Sequence, residues 1–573
     1  LIGLGFRHNY TVILRLFAFQ INIMSRFCQD LISRTVLTLL FLVPNLRAES
    51  GADSSQSFAR WVFFTDKVSE SPIAISEKAM ERRFKRASLT DNSWYDLPVN
   101  EQYIQALRAA GANIRTISRW LNAVSIVADY TALSEIEFLP FVDRIYPLSS
   151  YRLPLPQQSS AIRSPLDKST IIDYGPSGLQ VAMLGADSLH NMGLTGYRIR
   201  IGIMDTGFNT NHPVFSRMVS ENLILMTHDF INGDSNVIDQ PDIQQLHGTA
   251  VLSVLAGFDE GSLIGPAFGA EIVLAKTEIV TQEIRAEEDY WVAASEWMES
   301  LGVEIISSSV GYTDWYDTLQ LDGHTPIVTQ AANIANLLGI VVVNAAGNEA
   351  LTSWHKIIPP ADGDSVIAAG AVDPDMFMAD FSSRGPTADG RIKPNFCALG
   401  VDDYVAFYTG GYGFSSGTSF SAPLIAGGIA LLLEGHPAWR LADIFGNLKR
   451  ASSKSLRPNN SYGWGVPDLI DAYYQLPYEP VNQLSMYIAP HPAVDSVVFY
   501  LIIPGPGLTV LSVHDVAGVK IEQWEFRTER PEAIRSVWNG RSRSNMKVAS
   551  GIYICNLKMG DAVFRQKLFY IAE

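Results

Sequence analysis

Between residues 173 and 475 the apolar runs IRIGIMD, EIVLAKTE, VEIISSSV and IVVVNAAG alternate with helical patterns such as YWVAASEWMESLG. A strand that is apolar on both sides of its pleat must be covered on both faces. The alternation therefore predicts an α/β domain built on a doubly wound, mostly parallel sheet. Chemistry in such sheets collects at the carboxyl ends of the strands, where Asp205, Ser309 and Asn348 fall. Residues 57–148 read differently, as a small α+β domain of order β-α-β-β-α-β. Its strands are RWVFFT, NIRTIS, NAVSIVA and FVDRIYPL, and its helices are EQYIQALRAAG and TALSEIEFLP, the second starting at Thr131. The basic stretch SEKAMERRFKRAS within it reads as a helical insert with a solvated face. Residues 149–172, rich in Ser, Pro and Gln without a period, form a linker. From residue 476 to 573, short strands broken by Gly-containing turns predict a small all-β sandwich.

A chain of 573 residues exceeds one compact core, and its net charge of -16 excludes the basic footprint of a nucleic-acid binder. From Met24, Arg26 and Arg34 precede the apolar run TVLTLLFLV (residues 35–43), and PNLRAES offers Leu46 and Ala48 as a cleavage signal. Residues 1–48 thus have the layout of a secretory signal region, which makes the product exported. The run is short of the ~20 residues that span a bilayer; no later segment is expected to span. Of the three cysteines, Cys28 would leave with the signal, and Cys397 and Cys555 lie in different domains. Neither a disulfide framework nor a cysteine-based zinc site is expected.

Asp205, in MDTGF, suits two kinds of protease. An aspartic protease needs a second Asp-Thr-Gly, or a dimer to supply one, to share a proton between carboxylates; the chain has no second copy. A serine protease needs a nucleophile, a base within hydrogen-bond reach and a carboxylate that fixes the base's tautomer. His247, in QQLHGTAVLSVLAG, comes just before a helical stretch, and Ser419, in FSSGTSFSAPLIAGG, opens an apolar helix. Asn348, in NAAGNEA, follows a buried strand, where its amide can donate to a developing oxyanion.

MDTGF, LHGTAV, NAAGNEA and GTSFSAP, with FSSRGPTADGRIKP and GWGVPDL, make residues 173–475 resemble the subtilisin-like serine proteases, or subtilases. The resemblance implies Asp205 as the orienting carboxylate, His247 as general base and acid, and Ser419 as nucleophile. It implies Asn348 and the Ser419 N–H as the oxyanion hole. It makes Ser309, Val310 and Gly311, with Ala345, Ala346 and Gly347, the walls of the first specificity pocket. Those walls carry no charge, which implies cleavage after large apolar residues. Ser307 and Asn395 depart from the family pattern without touching the triad. The segment before the linker resembles a subtilase propeptide, chaperone and inhibitor of its own protease, with maturation cleavage in the linker. The tail resembles the terminal domains read by the type IX secretion pathway. The implied partners are protein or peptide substrates, the propeptide and that secretion machinery. No cofactor is expected: calcium is common in the family, but DPDMFMAD and ADGDS read as turns, and no oxygen-rich loop has convincing spacing. The acidic run Glu287-Glu288-Asp289 reads as a solvated face. The rival is an inactive surface-displayed binding protein, which a missing triad member would have signalled; none is missing.

Overall fold

The computed structural model describes residues 57–67, 71–87, 93–147, 172–238, 242–474, 484–489, 493–494, 496–528 and 532–572. The signal region and all but the last residue of the linker lie outside them.

In the first domain, strands β1 (Ser57–Phe64), β2 (Asn113–Ser118), β3 (Ala123–Asp129) and β4 (Val142–Pro147) form a sheet in the order β2-β3-β1-β4. Helices Glu101–Ala109 and Tyr130–Glu137 lie between its strands in sequence. The second begins one residue before the expected Thr131, because the Asp129 side chain accepts from the Ala132 N–H and caps it. The pleat divides the labour of β1. Val62 and Phe64 join Ile104, Leu107, Val124, Ile126 and Ile136 in this domain's own core. Trp61 and Phe63 turn the other way and pack with Trp291 and Met298 of the following domain.

That domain contains the doubly wound sheet. Its strands are β5 (Arg200–Asp205), β6 (Ile224–Asp229), β9 (Glu271–Lys276), β10 (Ile305–Ser308), β11 (Val341–Ala345), β12 (Ile367–Val372) and β13 (Phe396–Leu399). Between β6 and β9 lies a short hairpin of β7 (Phe258–Asp259) and β8 (Leu263–Ile264). The sheet order is β13-β12-β11-β10-β5-β9-β6, with every neighbouring pair parallel. Alternate residues serve opposite faces. Ile201, Ile203, Ile305, Val341 and Val343 pack under helices Leu246–Ala256 and Thr418–Gly435. Met204, Ile306 and Val342 pack under helices Ala286–Ser300 and Ile327–Leu337. At Gly202 a Cβ would collide with the Met298 side chain, so β5 lies directly against helix Ala286–Ser300. Helix Thr418–Gly435 is long and apolar enough to cross a membrane, contrary to expectation, but 89% of it is buried inside the domain. Its composition suits a core helix. A further hairpin, β14 (Asp403–Ala406) with β15 (Tyr412–Ser415), precedes it.

The tail is all β, as expected. One sheet holds β16 (Ser485–Ala489), β18 (Val497–Ile503) and β21 (Glu532–Trp538). The other holds β17 (Ala493–Val494), β19 (Gly507–Asp515), β20 (Lys520–Thr528), β22 (Gly551–Met559) and β23 (Ala562–Ile571). Phe499, Leu501, Leu511, Val513, Leu557 and Leu568 fill a common core. Cys397 and Cys555 are both free and buried in separate cores.

Two expected solvated faces are corrected. In the basic insert, which forms helix Glu77–Arg86, Arg82, Arg83 and Arg86 are buried against Glu299 and Glu304. In the acidic run, Glu287, Glu288 and Asp289 are buried as well. The arginines meet carboxylates more than two hundred residues away in sequence, whereas Glu287 is held by the nearby Ile279 and Ile284 N–H groups.

Candidate active site

Asp205 ends β5 at the centre of the sheet with no exposed surface. Its carboxylate accepts from the Thr206 N–H (2.7 Å) and from His247 Nδ1 (2.8 and 3.0 Å to the two oxygens). With Nδ1–H given to the carboxylate, Nε2 is left as the proton acceptor. His247 lies inside the first turn of helix Leu246–Ala256 rather than ahead of it. The turn is held against β5 by two threonines, since Gly248 N–H donates to Thr206 Oγ1 (3.3 Å) and Asn209 N–H to Thr249 Oγ1 (2.8 Å). A Cβ on Gly248 would collide with the Gly207 carbonyl, so only glycine after His247 permits this approach. Burial disfavours the imidazolium, but the Asp205 charge and hydrogen bond outweigh it and hold the His247 pKa above its ordinary value.

Ser419 is the second residue of helix Thr418–Gly435, whose N-cap is Gly417. The positive end of the helix dipole and the N–H groups of the first turn are therefore at the position of Ser419. Pro423 lies four residues on and has no N–H to give the Ser419 carbonyl. The Ser309 hydroxyl supplies that missing donor at 2.8 Å, which ties the serine's backbone to the end of β10. The Ser419 hydroxyl donates in turn to the Ser309 carbonyl, at a long 3.4 Å. The structure therefore pairs Asp205 with His247 but shows no hydrogen bond between the Ser419 hydroxyl and His247. Phe420, the next residue, has its ring 6.4 Å from the imidazole.

Asn348 follows β11 by three residues. Its Oδ1 accepts from both the N–H and the hydroxyl of Thr418, each at 3.0 Å, which leaves the Nδ2 end for another acceptor. Thr418 had no assigned role in the sequence, although the GTS motif places it beside Ser419. The segments Ser309–Gly311 and Ala345–Gly347 do come together. Asn344 Nδ2 donates to the Val310 carbonyl at 3.1 Å, and Ile358 N–H donates to the Ala346 carbonyl at 3.0 Å. A Cβ on Gly311 or on Gly347 would meet the Ile358 side chain at 2.6 or 2.8 Å, so both segments converge on Ile358. An isoleucine in IIPP carries no local signal for that position. Asn395 lies away from this chemistry, accepting from the Ala368 N–H and from Lys393 Nζ.

The acids of helix Ala286–Ser300 are structural. Glu287 accepts from the Ile279 and Ile284 N–H groups at 2.9 and 2.7 Å and so shapes the loop between them. Glu288 accepts from Trp315 Nε1 and the Tyr316 hydroxyl, and Asp289 from the Ser125 hydroxyl of the first domain. Burial pushes Glu287 and Glu288 up to about 7 and Asp289 up to about 6. Among the described residues, no group of three or more His, Cys, Asp or Glu side chains is placed to hold a metal ion.

Comparison with known proteins gives matches to two families. Residues 196–465 match the subtilase family, and residues 59–162 match the Peptidase S8 propeptide domain of Bacteroidota. Subtilisin E of Bacillus subtilis is 25% identical over 62% of this chain and 81% of its own length. Subtilisin DY of Bacillus licheniformis is 28% identical over 50% of this chain and 94% of its own. The subtilisin-like protease SBT6.1 of Arabidopsis thaliana is 28% identical over 51% of this chain, a match that spans only 27% of the plant protein.

Proposed function

We propose, from the premise that this chain is a subtilisin-like serine peptidase of the subtilase family with its own Peptidase S8 propeptide domain, that it is the precursor of an exported endopeptidase acting through Asp205, His247 and Ser419. One observation carries the reading. A fully buried Asp205 is hydrogen-bonded to His247 Nδ1, beside a helix start that bears Ser419.

In this mechanism the Ser419 hydroxyl attacks the scissile carbonyl carbon while His247 Nε2 takes its proton. Attack requires the hydroxyl to leave the Ser309 carbonyl and turn to His247; such contacts are commonly loose before substrate binds. Asp205 keeps the proton on Nδ1 and stabilises the imidazolium that forms. The tetrahedral oxyanion receives the Asn348 Nδ2–H and the Ser419 N–H. The imidazolium then gives its proton to the leaving amine, and the acyl group stays on Ser419. Water, deprotonated by the same imidazole, attacks the ester carbonyl; the proton returns to Ser419 Oγ and the acid product leaves.

Two finer readings follow. The walls Ser309, Val310 and Gly311, and Ala345, Ala346 and Gly347, meet at Ile358, so the first pocket favours Phe, Leu, Met or Tyr before the cut. Burying such a group is worth roughly 1.5–3 kcal/mol, and selectivity among them is modest. A peptide-library profile dominated by Arg or Lys at that position would contradict this. The signal-like layout from Met24 supports export, and the β tail is assigned to sorting or surface attachment through the type IX pathway. Mass spectrometry of the secreted product tests the signal region, which termini that retain it would exclude; export of a chain lacking residues 476–573 would exclude the role given to the tail.

The assignment of the nucleophile is tested with a fluorophosphonate probe on the matured enzyme. Ser419 should carry the label, and Ser419→Ala should lose both label and peptidase activity. Normal activity in that variant would refute the assignment.

A further inference from the structure

The sheet of the domain of residues 57–147 meets the catalytic domain along helix Ala286–Ser300, where Asp289 accepts from the Ser125 hydroxyl and Glu296 from the Ser118 hydroxyl and the N–H groups of Arg119 and Trp120. The contacts made by helix Glu77–Arg86 have a different character.

This helix gives nothing to the core of its own domain, which is built from β1, β3 and the two later helices. Its arginines point outward, into the catalytic domain. Arg82 donates to the Glu299 carboxylate and to the carbonyls of Glu299, Val303 and Leu338. Arg86 donates to Glu304 at 2.7 Å and to the carbonyls of Pro437 and Trp439 at 3.3 and 3.1 Å. Arg83 joins Glu299 at 2.9 Å to Asp96 of its own domain at 2.7 Å. Arg82 and Arg86 are 1% and 3% exposed, so each charge is fully desolvated and fully partnered.

The receiving surface fits the helix in shape as well as in charge. Gly302 and Gly339, each at the end of a helix on the catalytic domain, lie under its two ends. A Cβ on Gly302 would meet Lys78 Cβ at 2.8 Å, and one on Gly339 would meet the Ala87 nitrogen at 3.0 Å. The Ser76 N–H donates to the Ser300 carbonyl at 3.0 Å. This surface is at the amino edge of the sheet. Glu304 immediately precedes β10, and Ser309 follows its other end, roughly 16 Å away at the rise of a β-strand.

We propose that helix Glu77–Arg86 is a latch that keeps the propeptide on the catalytic domain after the linker has been cut. It holds from a surface remote from the cleft. The latch rests on the reading of this domain as an inhibitory propeptide. Cutting in the linker leaves every arginine contact intact. Removing one member of a buried pair strands the other charge without water or a partner, which makes each pair strongly sensitive to substitution.

The test uses the full chain carrying Ser419→Ala, with a recognition site for an unrelated protease inserted within residues 149–172. After external cutting, the rate at which the propeptide leaves the catalytic domain is read by exchange against labelled propeptide-containing chain. The parent complex should persist through gel filtration. Arg82→Gln with Arg86→Gln should release the propeptide at least about tenfold faster, and Glu304→Gln, on the catalytic side, should also speed release. Lys85→Ala, on the same helix but paired only with Glu81, should not. If the arginine variant fails to fold, Glu304→Gln alone decides. A parent complex that separates on cutting, or unchanged release in the folded variants, would overturn the latch. Because the chain is inactive by design, these outcomes are independent of the proposed catalysis, whose failure would show as an unlabelled Ser419 in the wild type.

Discussion

The Asp205 carboxylate binds the Nδ1 side of His247, and under the proposed mechanism that pairing decides when His247 can act as a base. The charge on Asp205 favours the imidazolium, so the His247 pKa is raised from its ordinary value near 6.5 despite burial. Catalysis requires the neutral imidazole, and activity is therefore lost as pH falls through this raised value. The acid limb of kcat/KM on a chromogenic peptide should lie above pH ~6.5. Asp205→Asn should lower that limb and also reduce the rate by orders of magnitude, by disturbing the tautomer. An acid limb well below 6.5 in the wild type would contradict the pairing. Asp205, His247, Asn348 and Ser419 stand out in the sequence as candidates because four motifs occur in a fixed order with glycine neighbours. Thr418 and Ile358 do not: a threonine beside a serine and an isoleucine in an apolar run look like ordinary packing. Their significance depends on Asn348 and Gly347, which lie far along the chain or face them only after folding.

Helix Thr418–Gly435 and strand β10 are joined by a repair of the helix's own defect. Pro423 deprives the Ser419 carbonyl of its donor, and Ser309 replaces it. Ser309→Ala should leave that buried carbonyl unsatisfied, at a cost of about 1–3 kcal/mol in unfolding free energy. It should also reduce kcat by loosening the nucleophile's backbone. Chemical denaturation of the Ser309→Ala and parent chains, both carrying Ser419→Ala, reads the first effect. No loss of stability would show that the carbonyl finds another donor. The parallel sheet and the helices that cover it were readable from periodicity, since runs apolar on both faces admit few other folds. The roles of helix Glu77–Arg86 and of the acids in helix Ala286–Ser300 were not. A run of like charge is ordinarily solvated, and only the folded chain brings Glu299 to Arg82 and Ser125 to Asp289, across more than a hundred residues of sequence.

Five buried carboxyls, Glu287, Glu288, Asp289, Glu299 and Glu304, fall into two sets with opposite dependence on pH. In the first, burial raises Glu287 and Glu288 to about 7 and Asp289 to about 6. The folded chain then holds protons that the unfolded chain releases, so this stabilisation is complete below the ordinary carboxyl range and is lost as pH rises through 6 to 7. In the second, burial alone would raise Glu299 and Glu304, but the arginines facing them win and lower both. Their contribution is present above the ordinary carboxyl range and is lost as pH falls below it. The Tm of the uncut Ser419→Ala chain should therefore peak in the ordinary carboxyl range, at about pH 4–5, and decline toward pH 8. A Tm that rises steadily to pH 8 would mean that the first set is ionised in the folded protein. The order of a small α+β domain, a parallel α/β domain and a β tail was legible from shifts in composition and period. The fit of the first domain to the protease was not, because it depends on Trp61, Phe63 and the arginines meeting a surface that exists only once both have folded. The proposed self-cleavage by Ser419 is read directly from intact-mass and N-terminal analysis of purified protein. Wild-type chain should acquire a new N-terminus within residues 149–172, while Ser419→Ala should remain uncut under the same conditions. Identical trimming of the Ser419→Ala chain, in a preparation free of other proteases, would contradict it.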